Sequence, residues 1–167
     1  SMKNDATKDV VALYLATDDR GAMGHGSFTI TVTGTNDAPV ATFSTAQSAT
    51  EGASAISGTV TSTDVDDDAT ASYSVHGSAI DGLTLNTNGT WSFDPSHNTY
   101  DSMKQGATQN VTVTYAVTDG LATTTGSFVI TVTGTNDAPV ATFTTAQSAT
   151  QGGVSISGQL TSTDVDS

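Results

Sequence analysis

The chain has 167 residues, with 4 Lys and Arg against 17 Asp and Glu for a formal charge of -13, and it has no Cys. So negative a chain is repelled by phosphate backbones and anionic bilayers, which argues against nucleic acid or membrane insertion, and it draws cations, divalent ones above all. Without disulfides its stability falls to packing, to metal or to neighbouring units, and no apolar run is long enough to span a bilayer.

Along the chain, the first clear element is the alternation of Phe28, Ile30 and Val32 with Thr residues, the mark of a half-buried strand. GTNDAPVATF follows at Gly34 to Phe43 and returns at Gly134 to Phe143. From Gly34 to Asp67 and from Gly134 to Ser167 the two copies agree, without a gap, at roughly three-quarters of positions. Upstream, Met2-Lys3 matches Met103-Lys104, Tyr14 matches Tyr115, and Ser27-Phe28 matches Ser127-Phe128. The period of about 100 residues is that of an immunoglobulin-like sandwich. One complete repeat is expected over 36–135. Residues 1–35 then read as the C-terminal part of a preceding repeat, and 136–167 as the N-terminal part of a following one.

Within the complete unit the predicted strands lie near 40–48, 55–63, 71–76, 82–86, 90–94, 111–118 and 127–134. Asn88-Gly89, between Leu83/Leu85 and Trp91/Phe93, is a tight-hairpin signal because that pair accepts positive φ. Val111, Val113, Tyr115 and Val117 share one face; Phe128, Ile130 and Val132 share another. Thr, about a fifth of the chain, suits the exposed pleated faces. About seven short strands and no 3.6-residue periodicity predict an all-β, seven-stranded Greek-key sandwich of immunoglobulin or cadherin type, in tandem. The predicted core is Phe43, Ile56, Val60, Tyr73, Val75, Ile80, Leu83, Leu85, Trp91, Phe93, Val113, Tyr115, Val117, Phe128, Ile130 and Val132.

The acidic residues are clustered. They gather at Asp37, at Asp64, Asp66, Asp67 and Asp68, and at Asp119, with Glu51 apart. Each cluster falls beside a strand end, and loops of a sandwich converge at its poles, so hard oxygen ligands suited to Ca²⁺ could meet there. Asp is equally at home in local turns. The DVDDD run is not an EF-hand, for the sixth and twelfth positions from Asp64 are Ala69 and Val75 rather than Gly and Glu.

YAVTDG (Tyr115 to Gly120), SFVITVTGTNDAPV (Ser127 to Val140) and ATEGASAISGTVTSTDVDDD (Ala49 to Asp68) resemble the VCBS-type repeat, a cadherin-like module arrayed in large bacterial secreted and surface adhesins of the RTX-adhesin kind. A more distant likeness to cadherins implies the metal ligands. Asn36-Asp37-Ala38-Pro39 and Asn136-Asp137-Ala138-Pro139 resemble the inter-domain linker. Asp64/Asp66 and Asp164/Asp166 resemble the Asp-x-Asp motif, Asp119-Gly120 the later Asp-Gly loop, and Glu51 the acidic residue of the first strand. The resemblance thus assigns Asn36, Asp37, Asp64, Asp66 and Asp119 to one junction, and Glu51, Asn136, Asp137, Asp164 and Asp166 to the next. Gly34 and Gly134 stand where cadherins carry a further Asp, Ala38 where they carry Asn, and Gln151 where Glu51 would repeat, which implies fewer ions per junction.

The expected function is that of a calcium-stiffened extender in an extracellular or cell-surface adhesin, serving adhesion or biofilm formation. The alternative is a carbohydrate- or protein-binding module, which would need an exposed aromatic platform; Trp91, in register with Phe93, is expected in the core. No enzyme is expected, since no Ser has a nucleophile's setting, Cys is absent, and His25, His76 and His97 fall in turns or at strand edges. The expected partners are neighbouring repeats. Because 1–35 and 136–167 are incomplete sandwiches with bare apolar faces, head-to-tail self-association between them is expected too.

Overall fold

The computed structural model describes residues 2–66 and 69–167. Asp67 and Asp68 of the acidic run lie outside the described residues. The chain opens with a hairpin of β1 (Thr7–Thr17) and β2 (Met23–Thr33), in antiparallel register from Thr7↔Thr33 to Thr17↔Met23. A sandwich follows, built from β3 (Val40–Ala41), β4 (Gln47–Thr50), β5 (Ile56–Thr59), β6 (Ser62–Thr63), β7 (Ser72–Val75), β8 (Leu83–Leu85), β9 (Thr90–Phe93), β10 (Thr108–Thr118) and β11 (Thr123–Thr133). The last pieces are β12 (Val140–Ala141) and β13 (Ser162–Thr163). No described residue is helical, so no helix is long and apolar enough to cross a membrane.

One sheet has the order β4-β11-β10-β7 and the other β5-β9-β8, with β3 and β6 paired separately. All pairs are antiparallel except β4 with β11, where Ile130↔Gln47 and Val132↔Ala49 run parallel. The sheets meet through their aromatic residues. Phe128 of β11 stacks obliquely on Trp91 of β9 at 5.1 Å, and edge-to-face on Phe43, also at 5.1 Å. Such contacts add to the burial of the large apolar surfaces themselves.

Period-two alternation explains the long pair β10–β11. Val111, Val113, Tyr115, Val117, Phe128, Ile130 and Val132 are buried, while the intervening residues are exposed or half-buried. Tyr73 of β7, paired with Val117, is buried in the same sheet, Val60, Trp91 and Phe93 are buried with it, and Phe43, Ile56, Ile80, Leu83 and Leu85 pack half-buried against this core. Val75 is only half-buried, at the end of β7. Two predicted strands are broken. The 40–48 strand splits into β3 and β4 because the chain leaves its β6 partner and crosses to β11; the 55–63 strand splits into β5 and β6 likewise. Tyr100, Met103, Ala49 and Val111 join the core beyond the residues expected from sequence.

Two glycines carry the geometry. Gly89, with φ +87, closes the β8–β9 hairpin next to Asn88, where a Cβ would lie 2.8 Å from the Val60 carbonyl oxygen. Gly126 lets the Tyr115 ring cross it, since a Cβ there would stand 2.6 Å from the ring and 2.8 Å from Ala41. The Tyr115 hydroxyl, so placed, donates to the Phe43 carbonyl (2.9 Å) and accepts from the Phe43 N–H (3.2 Å), pinning β3 and its exit to the long hairpin. Each 11-residue strand of that hairpin spans about 35 Å, the length of the sandwich from pole to pole.

Candidate metal-binding seams

At the pole where β10 ends, the turn Asp119–Ala122 fixes the Asp119 carboxylate. Its Oδ1 accepts from the Leu121 and Ala122 N–H groups, both at 2.7 Å, and its Oδ2 from the Asn36 side-chain amide at 3.0 Å. These bonds, from Ala122 first, then Leu121 and Asn36, hold the Asp119 carboxyl below its ordinary value of 3.8. Asn36 also caps the Asp37 carbonyl (2.8 Å), and the Asp37 N–H donates to Asp66 Oδ2 (2.8 Å). The Asp66 N–H in turn donates to Asp64 Oδ1 (2.9 Å). Asn36, Asp37, Asp64, Asp66 and Asp119 therefore form one hydrogen-bonded group at one pole. The Asp64 Oδ2 atom is buried and has no hydrogen-bond partner.

The opposite pole repeats part of this arrangement. Asn136 caps the Asp137 carbonyl (2.7 Å), the Asp137 N–H donates to Asp166 Oδ2 (3.3 Å), and the Asp166 N–H donates to Asp164 Oδ1 (3.3 Å). A hydrogen bond shared by the two side chains raises the Asp164 carboxyl and lowers that of Asp166; Lys104 also helps lower Asp166. Glu51 comes to this linker from the end of β4. It is 5 % exposed, and its Oε2 accepts from the Thr135 N–H (2.8 Å), one residue before Asn136. Its Oε1 is buried without a partner. Of the three such orphaned side-chain atoms among the described residues, two are these carboxylate oxygens and the third is the Trp91 indole nitrogen.

Among the described residues, no three His, Cys, Asp or Glu side chains are gathered closely enough to hold a metal ion. Asp119 and Asp66 each give an oxygen to a backbone N–H of a loop or linker. The donor chemistry is nevertheless uniform. Both poles offer carboxylate and amide oxygens, the hard set that Ca²⁺ takes, and each holds one buried carboxylate oxygen with no hydrogen-bond partner.

Two basic residues at the seams escaped the motif reading. Lys3, with Asn4, lines a cleft of about 340 Å³ beside Asn36, Asp66 and Asp119, and Lys104 acts on Asp166 at the far pole. The sequence signal was present: Met2-Lys3 and Met103-Lys104 are repeat-equivalent. They place one lysine by each acidic group.

Two facing sheets, with the first strand broken into β3 and β4 and β4 parallel to the last strand β11, define an immunoglobulin- and cadherin-like sandwich. Residues 36–133 match the bacterial Ig domain family, and the chain belongs to that family. No curated protein matches the chain in sequence. Among solved structures, the extracellular cadherin domains 1–4 of protocadherin gamma B7 are similar with a TM-score of 0.58 at 17% identity, covering 87% of this chain and 37% of that one. A protocadherin gamma B7 cis-dimer structure gives 0.52 at 14% identity, covering 96% of this chain and 43% of that one. The protocadherin gamma B4 extracellular domain gives 0.50 at 16%, with 96% and 29% covered. The chain thus spans less than half the length of each, and the likeness speaks for the fold alone.

Proposed function

We propose that the chain is a stretch of extender from a bacterial surface or secreted adhesin, built of VCBS-type repeats and stiffened by Ca²⁺ at the seams. In this reading residues 36–135 are one repeat, 1–35 close the repeat before it and 136–167 open the one after. Calcium would add positive charge among these oxygens. Asn36, Asp37, Asp64, Asp66 and Asp119 would hold it at the first seam, and Glu51, Asn136, Asp137, Asp164 and Asp166 at the second.

The observation that carries the reading is the Glu51 carboxylate. A buried carboxylate oxygen without a donor is costly, and cations are its natural complement. Linkers otherwise joined by a few hydrogen bonds become fixed once an ion bridges both sides, and stacked units then hold one another in line. Extended length, not catalysis, is the product of such an array, and its place is outside the cell.

Small-angle scattering of the chain with calcium, and again after chelation, tests the mechanism. A stiffened seam gives a larger maximum dimension in calcium and a broader, more flexible profile without it. Identical profiles, with no calcium retained after gel filtration, would sink it. The rival reading, a carbohydrate- or protein-binding module, would have to use Tyr14 and Phe28, which are exposed, since the sole Trp is 2% exposed; glycan-array binding would favour it.

A further inference from the structure

The geometry points to Asn88, at the tip of the β8–β9 hairpin, as an acceptor of N-linked sugar, delivered from a sugar diphosphate by a glycosyltransferase that reads Asn-x-Ser/Thr. The chain holds two such triplets, Asn88-Gly89-Thr90 and Asn110-Val111-Thr112. In a chain so rich in Thr the pattern arises readily by chance, so the triplet alone decides nothing. The structure separates the two.

At Asn88 the side chains form a directed relay. Asn88 is exposed, and its Oδ1 accepts from the Thr90 hydroxyl at 2.7 Å and from the Thr90 N–H at 3.1 Å. The hydroxyl is aimed by a third group: it accepts from the Asn86 side-chain amide at 3.0 Å, which leaves its one proton for Asn88. No described residue bonds to the Asn88 Nδ2. Two donors on Oδ1 draw the amide electrons toward oxygen and make the Nδ2 protons more acidic. They also stand ready for the charge that gathers on that oxygen as a proton leaves. In the transfer, Nδ2 bonds to C1 of the sugar and the C1–O bond to the diphosphate breaks. The diphosphate departs with the bonding pair, and one Nδ2 proton passes to a base of the transferase.

The turn also holds the acceptor still and guards it. Gly89 is buried, and its carbonyl accepts from the Val60 N–H at 2.9 Å, so the tip is fastened to the body of the sandwich. An Asn followed by Gly is open to loss of ammonia, by attack of the Gly nitrogen on the side-chain carbon. Here the Gly89 N–H is committed to the Asn86 carbonyl at 2.9 Å, which opposes that attack and preserves Nδ2. Asn110 has none of this. It lies in β10 with Val111 buried behind it, and its Oδ1 accepts from the Thr131 hydroxyl across the sheet at 2.9 Å. Thr112 stands about 7 Å further along the extended strand. The inference rests on the proposed place outside the cell and on nothing about calcium.

Glycopeptide mass spectrometry of the protein as its own cells secrete it tests the site. A sugar-bearing peptide containing Asn88 and a bare one containing Asn110 are expected. Bare Asn88 in the secreted protein overturns this inference alone, as does equal occupancy of Asn110; a protein retained inside the cell overturns the extracellular reading with it. The relay is tested on the folded 167-residue chain, given a soluble glucosyltransferase of the Asn-x-Ser/Thr class and nucleotide-activated glucose. Glucose should appear on Asn88. Thr90→Ser should keep the modification and Thr90→Val abolish it, while Asn86→Ala slows it about fivefold, the worth of one hydrogen bond. The Trp91 fluorescence melt verifies that each variant is folded. A folded Thr90→Val chain modified as fast as the wild type overturns the inference.

Discussion

Replacing Glu51 by Gln separates what a cation does at the seam from what packing does there. The amide keeps an oxygen to accept from the Thr135 N–H and removes a buried charge, while its NH₂, standing where Oε1 has no partner, stays unsatisfied. An unsatisfied buried polar group costs about 1–3 kcal/mol, and more when ionised. In chelator the variant, left with a neutral unsatisfied group in place of a charged one, should therefore be more stable than the wild type by about 1 kcal/mol, a rise of about 4–8 °C in Tm for a domain of this size. Calcium reverses the order. At a hundredfold excess over Kd a ligand stabilises the folded state by about 2.7 kcal/mol, and Glu51→Gln should lose most of that increment. Differential scanning calorimetry with and without calcium gives all four values. A Glu51→Gln difference of the same sign and size in both buffers would refute the reasoning, as would a wild-type Tm indifferent to calcium. The chain carries Gln151 at the equivalent place, so the substitution is one its own repeat accommodates.

Lys104→Gln should tighten calcium at the second seam by about two- to fivefold, the size of a solvent-screened charge pair, because the Lys104 charge that acts on Asp166 would repel a bound cation; calcium titration calorimetry checks it, and weaker binding would contradict it. Acidification should loosen the first linker through Asp119. Its folded carboxyl is held below the ordinary value, so its contribution is complete above that value and is lost as pH falls through the lowered one. Asp119→Asn should flatten the acid limb of the melting temperature below about pH 4, and an unchanged limb would place the acid sensitivity elsewhere. Gly126→Ala should cost about 1–3 kcal/mol in urea unfolding, since the new methyl meets the Tyr115 ring and Ala41; a neutral result would mean that the ring moves aside freely.

The fold was legible where one residue type alternates against water. β10, β11 and the β8–β9 turn follow from Val, Ile, Tyr and Phe at every second position and from Asn88-Gly89. The strand breaks were not legible. Residues 40–50 change partner from β6 to β11, and nothing in PVATFSTAQSAT marks where one set of backbone bonds stops and another begins. Tyr100 and Met103 escaped because they sit in a run of turns without period. There the Tyr100 N–H bonds to His97, the Met103 N–H to Tyr100, and the Tyr100 hydroxyl to the Asp81 carbonyl. At the seams, the grouping of Asn36, Asp37, Asp64, Asp66 and Asp119 was foreseeable from loop position. The burial of Glu51 was not, since a lone acid after AQSAT reads as exposed. Its depth depends on Thr135, a residue 84 positions away.

The parallel pairing of β4 with β11 has a consequence for a protein pulled at its ends. The segment entering the sandwich and the segment leaving it lie side by side and point the same way, with their exits at opposite poles. Tension applied through the two linkers acts along these strands, so the bonds joining Gln47–Thr50 to Ile130–Thr133 are sheared together and cannot peel apart singly. Resistance to stretching then resides in four short residue pairs and the Tyr115 clasp on Phe43, and a domain of modest thermal stability can still be hard to draw out by force.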